Sequence, residues 1–210
     1  SAGALVKTSV DMVKEKLIDK NRALTRIPAQ QLEALLHRTM DESKIKDFKQ
    51  LAKGIAASPG AASGIVVFDV KKAIELGDTG KKIILVRKET KPEDVPAFFS
   101  SEGILTSLGG KSSHAAIVSR GMGKPCIVGC PELKIDYDKN IGTANGITIK
   151  EGDTITIDGS EGTVFIGEIP TVEPKVTKEF EQILEWAQKT KTIGIRANAD
   201  TPDGAVLARK

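Results

Sequence analysis

The sequence predicts a layered α/β domain that carries an antiparallel β segment and is flanked by helical linkers. Strand-like and helix-like stretches alternate between residues 54 and 129, which is typical of α/β layers. β-branched residues alternate in short stretches between residues 147 and 166, which predicts antiparallel hairpins. Apolar residues at helical spacing occur near both ends of the chain and predict the flanking helices.

Composition limits the classes of function that remain open. The 210 residues are 40% hydrophobic and 28% charged, which is typical of a soluble globular protein. A net charge of +3, one Trp and one Tyr argue against a nucleic-acid surface. No apolar run approaches the ~20 residues that a membrane span needs. Residues 1–10 lack the pattern of a signal peptide, so we expect a cytoplasmic protein without membrane contact.

The two cysteines, Cys126 and Cys130, are predicted to be free thiols in a reducing compartment. Their spacing would suit a metal only with further ligands, and His37 and His114 are the only histidines. We therefore predict no metal bound to this chain and interpret His37 as a surface or structural residue.

Residues 1–53 are predicted to be helical, as a linker or the end of a preceding domain. A second helix begins after Pro28, and a third is expected over residues 45–51. The apolar stripe of the first helix comprises Val10, Val13 and Leu17.

Residues 54–170 form the predicted α/β domain. Thr90 is expected to be the N-cap of a helix that runs to Phe99, with Glu93 completing a capping box. Residues 147–149 and 154–157 are expected to be strands of an antiparallel segment that ends near Pro170, in which residues 163–166 pair back as a hairpin. The predicted α/β strands are 64–68, 82–87, 103–106 and 125–129, and the other helices are 70–76 and 114–121.

The remaining residues are predicted to be a linker over 171–192 and the start of a further domain over 193–210. The linker contains a helix with an apolar stripe, and residues 191–196 are expected to form the first strand of that further domain. The stripe comprises Phe180, Ile183, Leu184 and Ala187.

The stretch GGKSSHAAIVSRG, residues 109–121, is the candidate functional site. It places His114 in the first turn of a helix, where unpaired N–H groups favour a bound anion. Neutral imidazole is a nucleophile near pH 7, so His114 is a candidate covalent phosphate carrier. Phosphate could be accommodated by the small residues Gly109 and Gly110, the hydroxyls of Ser112 and Ser113, and the charges of Lys111 and Arg120.

The same residues also admit purely structural interpretations. A serine before a helix is commonly an N-cap, Gly-Gly is commonly a turn, and a single histidine is commonly structural. The hydroxyl of Thr90 has the same ambiguity, because it could do no more than cap its own helix. Spacing alone leaves these alternatives open.

The stretch from residue 109 to 130 resembles the phosphohistidine signature of the phosphoenolpyruvate-utilising enzymes. The resemblance covers nearly the whole chain. Further matching stretches are LLHRTMD at 35–41, ASPGA at 57–61, ILTS at 104–107 and NADTP at 198–202.

This resemblance implies a swivelling domain between an ATP-grasp nucleotide-binding domain and a TIM barrel that binds pyruvate. His114 would carry a phosphoryl group on Nε2 from the nucleotide to pyruvate, with Mg²⁺ assisting in the parent enzyme, which we expect to be a homo-oligomer. Thr90 would lie beside the histidine, and Arg196 would belong to the pyruvate pocket. The chain would then be an excised central domain or a fragment, inactive by itself.

One departure from the family pattern concerns Ser112, where the family usually has threonine before Ser-His. Serine keeps the hydroxyl, so phosphate anchoring is expected to survive, while the regulatory phosphorylation known for that threonine in plant members is not expected to transfer. Alternatives within the family are a phosphoenolpyruvate synthase and enzyme I of the sugar phosphotransferase system. A non-catalytic docking module is the alternative from a different class.

Overall fold

The computed structural model of the chain describes residues 2–41, 43–174 and 176–194. The chain divides into two compact units, residues 1–29 with 176–210 and residues 30–175, and each is described by itself. The α-helices are α1 (Ala2–Lys14), α2 (Lys20–Thr25), α3 (Ala29–Ala34), α4 (Val70–Asp78), α5 (Val95–Ser100), α6 (His114–Gly121) and α7 (Lys178–Thr190). The strands are β1 (Thr39–Met40), β2 (Gln50–Lys53), β3 (Ile55–Ser58), β4 (Ala61–Val67), β5 (Ile83–Arg87), β6 (Gly103–Thr106), β7 (Cys126–Val128), β8 (Lys134–Asp136), β9 (Ile141–Ala144), β10 (Ile147–Lys150), β11 (Thr154–Asp158), β12 (Thr163–Ile166) and β13 (Thr171–Val172).

The first unit is helical and is built from α1, α2 and α7. Thr177 caps α7 by accepting a hydrogen bond from the Phe180 N–H at 3.3 Å, which fixes the start of the predicted linker helix. Its buried residues are Phe180, Ile183 and Trp186. The predicted stripe was therefore right for two positions and wrong for Leu184, which is 48% exposed.

The predicted stripe of α1 was also only partly right. Val10 is fully buried, but α1 ends at Lys14 and Leu17 lies beyond it, largely exposed. Lys16 has a φ of +60°, a left-handed conformation that stops the helix before the stripe is complete.

The second unit contains a sheet of eight strands in the order β2-β12-β11-β4-β5-β6-β7-β3. The strands β4, β5, β6 and β7 run parallel in the middle, as expected for strands that alternate with helices. In β5 the run from Ile83 to Val86 is fully buried, which agrees with a strand covered on both faces. The predicted α/β class is confirmed.

A second sheet lies on one face of the eight-stranded sheet and has the order β10-β9-β8. Residues of the two sheets form one buried apolar cluster, which includes Val66, Ile84, Leu105 and Ile149. On the opposite face, α4, α5 and α6 contribute to a second cluster with Leu85, Phe98 and Ala116. The eight-stranded sheet is therefore the middle layer of three.

The predicted hairpin is confirmed, because β12 pairs back on β11, but the antiparallel segment expected over residues 147–166 is divided between two sheets. The strand β10 pairs with β9 in the small sheet, through a turn in which Asn145 and Gly146 have φ values of +51° and +74°. The strands β11 and β12 instead extend the large sheet beside β4. The alternating pattern predicts strands correctly, but it does not say which partner each strand has.

The helix expected over residues 45–51 was also wrong. Residues Ile45–Asp47 form a single 3₁₀ turn, and β2 follows and pairs with β12. Leu51 and Ala52 are buried within the sheet, and this burial outweighs the weak helical pattern of a short stretch. The expected domain limits at residues 54, 171 and 193 stay predictions.

The segment that precedes the large sheet in the chain pairs with the segment that follows it. Strands β1 and β13 form a two-stranded antiparallel sheet, in which Thr39 lies opposite Val172. The side chains of Arg38 and Glu173 form an ion pair beside it. Residues 191–194 contain no strand, and the rest of the stretch 191–196 lies outside the described residues.

Both cysteine thiols are buried and free, as predicted. Burial raises the pKa of Cys126 to about 11 and that of Cys130 to about 12. Neutral, enclosed thiols are poor nucleophiles, because the thiolate is the reactive form.

We expect the native chain to react with iodoacetamide at pH 8 at least ~100-fold more slowly than a free thiol, because both pKa values lie far above that pH. Mass spectrometry after timed quenching gives the rate. Unfolding in urea should expose two fast-reacting thiols, and rapid modification of either one in the native chain would contradict the prediction.

Gly159 gives a test of the sheet packing. A Cβ at this position would lie 2.0 Å from the backbone oxygen of Ser58, so Gly159→Ala forces two backbone segments apart. We expect this change to lower the free energy of unfolding by about 1–3 kcal/mol. Gly121→Ala is the matched control, since a Cβ there meets nothing within 4 Å. Urea unfolding measures both, and equal effects would refute the packing argument.

Candidate functional site

The candidate site lies where two neighbouring parallel strands end. In the pairing of β5 with β6, the last residues Arg87 and Thr106 are opposite each other. Thr90 follows β5, and the glycine loop, residues 107–113, follows β6. Ligands of α/β sheets commonly bind in the crevice outside the carboxyl ends of the strands, so the topology brings the candidate residues to the expected edge.

Backbone hydrogen bonds fix the first part of the glycine loop. The Ser107 N–H donates to the Arg87 carbonyl at 3.1 Å, and the Leu108 N–H donates to the Lys88 carbonyl at 2.8 Å. Gly109 then has a φ of +105°, and a Cβ there would lie 3.0 Å from Cβ of Ser113. Gly109 is therefore required both by its conformation and by its close approach to the helix start.

Ser113 is the N-cap of α6, and His114 is the first residue of that helix. The Ser113 backbone is extended, with a ψ of 160°, and its Oγ accepts a hydrogen bond from the Ala116 N–H at 3.4 Å. The structural interpretation of this serine is therefore correct. Capping does not exclude an anion site, because the helix N-terminus still carries a partial positive charge that favours negative groups.

The imidazole of His114 is half-buried and meets the ring of Phe98 edge-on, with centroids 6.3 Å apart. Its Nε2 atom is buried and has no hydrogen-bond partner. Leaving a buried polar atom without a hydrogen-bond partner costs about 1–3 kcal/mol of folding free energy, so this ring orientation leaves one hydrogen bond of the imidazole unmade. Rotation of the ring would be needed to bring Nε2 to a reactant.

Thr90 does not cap the following helix, so the predicted capping box was wrong. The helical turn begins one residue later: the Asp94 carboxylate accepts a hydrogen bond from the Lys91 N–H at 2.9 Å. The Thr90 hydroxyl is buried without a partner. The box is therefore formed by Lys91 and Asp94 in place of Thr90 and Glu93, and the Thr90 hydroxyl takes no part in it.

Three of the buried polar atoms without a partner belong to residues that end β5, follow it or begin α6: Arg87 Nε, Thr90 Oγ1 and His114 Nε2. Native interiors rarely leave such atoms unpaired, and unpaired ones are commonly found where a ligand or a reaction uses them. The sequence pattern indicated Thr90 and His114 but not Arg87. The available signal was the position of Arg87 as the polar last residue of an otherwise apolar strand.

The two candidate phosphate-binding cations, Lys111 and Arg120, differ in their contacts. Arg120 ties the loop to α6, since its guanidinium donates to the carbonyl oxygens of Lys111 and Ala116. The side chains of Lys111 and Ser112 are exposed. Arg196, the remaining predicted site residue, lies outside the described residues.

No group of three or more His, Cys, Asp or Glu side chains in the described parts of the chain could hold a metal ion. In the same residues, no helix is long and apolar enough to cross a membrane.

Residues 79–162 match the family model of the mobile domain of PEP-utilising enzymes. This stretch contains β5, β6, Thr90, the glycine loop and α6, so the match covers the whole candidate site. Over residues 79–162 the chain is therefore similar to that mobile domain.

Among curated proteins, the chain is similar over its full length to enzymes named pyruvate, phosphate dikinase. It is 50% identical to that of Entamoeba histolytica over 209 residues and 48% identical to that of Rickettsia prowazekii over 210. These alignments cover 99% and 100% of this chain but 23% and 24% of the relatives. The chain thus spans about a quarter of their length.

A solved structure, described as an NMR solution structure of Enzyme I (nEIt), aligns with 54% of this chain and 39% of its own. Its sequence identity is 22%, and the TM-score is 0.33.

The N-cap of α6 can be tested by truncating two adjacent serines. Ser113→Ala removes the oxygen that accepts from the Ala116 N–H and should lower the free energy of unfolding by about 0.5–1 kcal/mol. Ser112→Ala, at an exposed neighbour, should leave it unchanged. Thermal or urea unfolding measures the free energy of unfolding of both variants. A larger decrease in Ser112→Ala than in Ser113→Ala would place the N-cap one residue earlier.

Proposed function

We propose that this chain is the phosphoryl carrier of a pyruvate phosphate dikinase, with His114 as the residue that carries the group. The observation that carries the proposal is the unpartnered Nε2 of His114 at the start of α6, at the edge where β5 and β6 end. The family of the mobile domain and the names of the relatives favour this function over other uses of an anion site.

The carrier step uses the imidazole as a nucleophile. A nitrogen of neutral His114 attacks the β-phosphorus of ATP, so that an N–P bond forms while the P–O bond to AMP breaks, and the ring carries a pyrophosphoryl group. Inorganic phosphate then attacks the terminal phosphorus, the P–O bond between the two phosphoryl groups breaks, and pyrophosphate leaves. In the last step the enolate oxygen of pyruvate attacks the phosphorus that stays bound to His114. The N–P bond then breaks, phosphoenolpyruvate forms, and neutral imidazole is regenerated for another cycle.

The residues around His114 support this step by placing donors and positive charge near the phosphoryl oxygens. The N–H groups of the helix N-terminus and of the loop would donate hydrogen bonds to the phosphoryl oxygens, and so would the hydroxyl of Ser112. Gly109 and Gly110 carry no side chain that would block a reactant. Lys111 and Arg120 would lower the charge repulsion between the phosphoryl group and an anionic partner.

Thr90 is proposed to orient the imidazole. Its hydroxyl is buried and unpaired, and it follows the strand next to the one that leads to His114. A hydroxyl can donate to one ring nitrogen or accept from it, and so select the tautomer whose other nitrogen reacts.

The parent enzyme would supply the two docking sites, an ATP-grasp domain for the nucleotide and a TIM barrel for pyruvate, where Arg196 would bind substrate. Its overall reaction would convert ATP, phosphate and pyruvate to AMP, pyrophosphate and phosphoenolpyruvate. Mg²⁺ would neutralise phosphate oxygens at these sites. We further propose a cytoplasmic, homo-oligomeric parent.

The test supplies this chain with the nucleotide-binding region of a dikinase and ATP labelled in its phosphoryl groups. Label should appear on His114 as an acid-labile N–P bond, located by mass spectrometry, and be lost by more than ~100-fold in His114→Ala. His37→Ala is the matched control, because it removes the only other histidine and should retain the label. Label elsewhere refutes the carrier role, and tight binding without label would favour a docking module.

A further inference from the structure

Tyr137, the only tyrosine of the chain, lies in the turn between β8 and β9 of the small sheet. The carboxylate of Asp136 holds this turn, since its Oδ1 accepts hydrogen bonds from the N–H groups of Asp138 and Lys139, both at 3.1 Å. The Lys139 ammonium adds an ion pair at 3.5 Å. The backbone that carries Tyr137 is therefore fixed by contacts within the turn itself.

The side chain of Tyr137 contacts the end of β5 in the large sheet. Its hydroxyl accepts a hydrogen bond from the Lys88 N–H at 2.8 Å. The Arg87 guanidinium carbon lies 5.1 Å from the ring centroid, and the Lys88 ammonium lies 5.3 Å from it. Both distances are within the range of cation–π attraction, so one side chain holds two successive residues by three contacts.

The first two residues of the glycine loop are hydrogen-bonded to these same two residues. Carbonyl oxygens of Arg87 and Lys88 accept the N–H groups of Ser107 and Leu108, and the Ser107 hydroxyl donates to the Lys88 carbonyl at 3.4 Å. Gly109 follows directly, with the positive φ already described. Tyr137 is thus two contacts away from the loop that leads to His114.

The end of β5 needs such support. The ladder between β5 and β6 ends with Arg87 and Thr106, and Lys88 and Glu89 beyond it are exposed. Arg87 is held on its other side by a hydrogen bond of 2.9 Å from Nη1 to the Phe68 carbonyl. The tyrosine ring fixes the guanidinium between the end of β4 and the small sheet, although Nε stays without a partner.

We propose that Tyr137 is a positioning residue for His114, acting through Arg87 and Lys88 on the start of the glycine loop. The inference rests on the carrier function proposed above. Tyrosine suits this role because its ring attracts cations while its hydroxyl accepts a backbone hydrogen bond, and no other natural side chain of that shape does both. The small sheet thereby contributes to a site that it does not itself contain.

The experiment compares three variants of the whole 210-residue chain. Tyr137→Ala removes the ring and the hydroxyl, and Tyr137→Phe removes the hydroxyl alone. Ile149→Val is the matched control, because Ile149 is buried beneath the same small sheet and belongs to its core. Two quantities are measured in each: the hydrogen-exchange rate of the Ser107 and Leu108 amides, and the rate at which phosphoramidate phosphorylates His114.

Phosphoramidate is a small donor that needs no docking partner. A nitrogen of the His114 imidazole attacks its phosphorus, the P–N bond of the donor breaks, and ammonia leaves. Phosphorus-31 NMR follows the N–P product directly. The rate then reports how well the loop presents His114, separately from any effect of Tyr137 on domain docking.

We expect Tyr137→Ala to raise amide exchange at Leu108 and to lower the phosphorylation rate, each by about 10-fold, since a small misplacement of reacting groups is costly. Tyr137→Phe should show a smaller change in both, and Ile149→Val should show neither. An equal effect of Ile149→Val, unchanged exchange in Tyr137→Ala, or raised exchange with an unchanged rate would each overturn the positioning role.

If the unaltered chain is not phosphorylated at all, the carrier function fails by itself. The exchange measurement still decides whether Tyr137 holds the loop, because it needs no phosphoryl donor.

Discussion

The parallel pairing of β5 with β6 is the interaction on which the site depends. It sets Arg87 opposite Thr106, so two segments that follow these strands leave the sheet at one edge. One of them contains Thr90 and the other leads to His114. Each strand is buried by helices on one face and by the small sheet on the other, and this burial fixes the register because a slip of one residue would reverse the faces.

Several buried polar groups of the candidate site have no hydrogen-bond partner. Arg87 Nε, Thr90 Oγ1 and His114 Nε2 are enclosed without partners, although the surrounding fold pairs its backbone closely. Such groups are costly in a resting protein and become useful when a reactant supplies the missing partner. The proposed carrier function requires His114 to bind a phosphoryl group at one place and to release it at another, and an imidazole without a hydrogen-bond partner suits that requirement.

The helix that bears His114 is fixed from several directions. Ser113 caps it, Arg120 returns to the loop carbonyl of Lys111, and the buried face with Ala115 and Ala116 packs on the sheet. The glycine loop is hydrogen-bonded to the residues at the end of β5, and these residues also contact Tyr137 of the small sheet. Motion of the imidazole can therefore occur as ring rotation at the start of a helix whose backbone is held.

The sequence by itself determined the α/β class, the strands β5 and β6, the glycine loop and the position of His114, because these depend on local patterns: buried runs, turn residues and a helix start. Only the tertiary structure decided which strands pair, that residues 50–53 join the sheet, and that Asp94 rather than Thr90 serves the helix start. It also revealed Arg87 and Tyr137, which lie 50 positions apart in the chain. Local patterns carry no information about contacts over such separations, since those contacts arise only when burial brings the two sheets together.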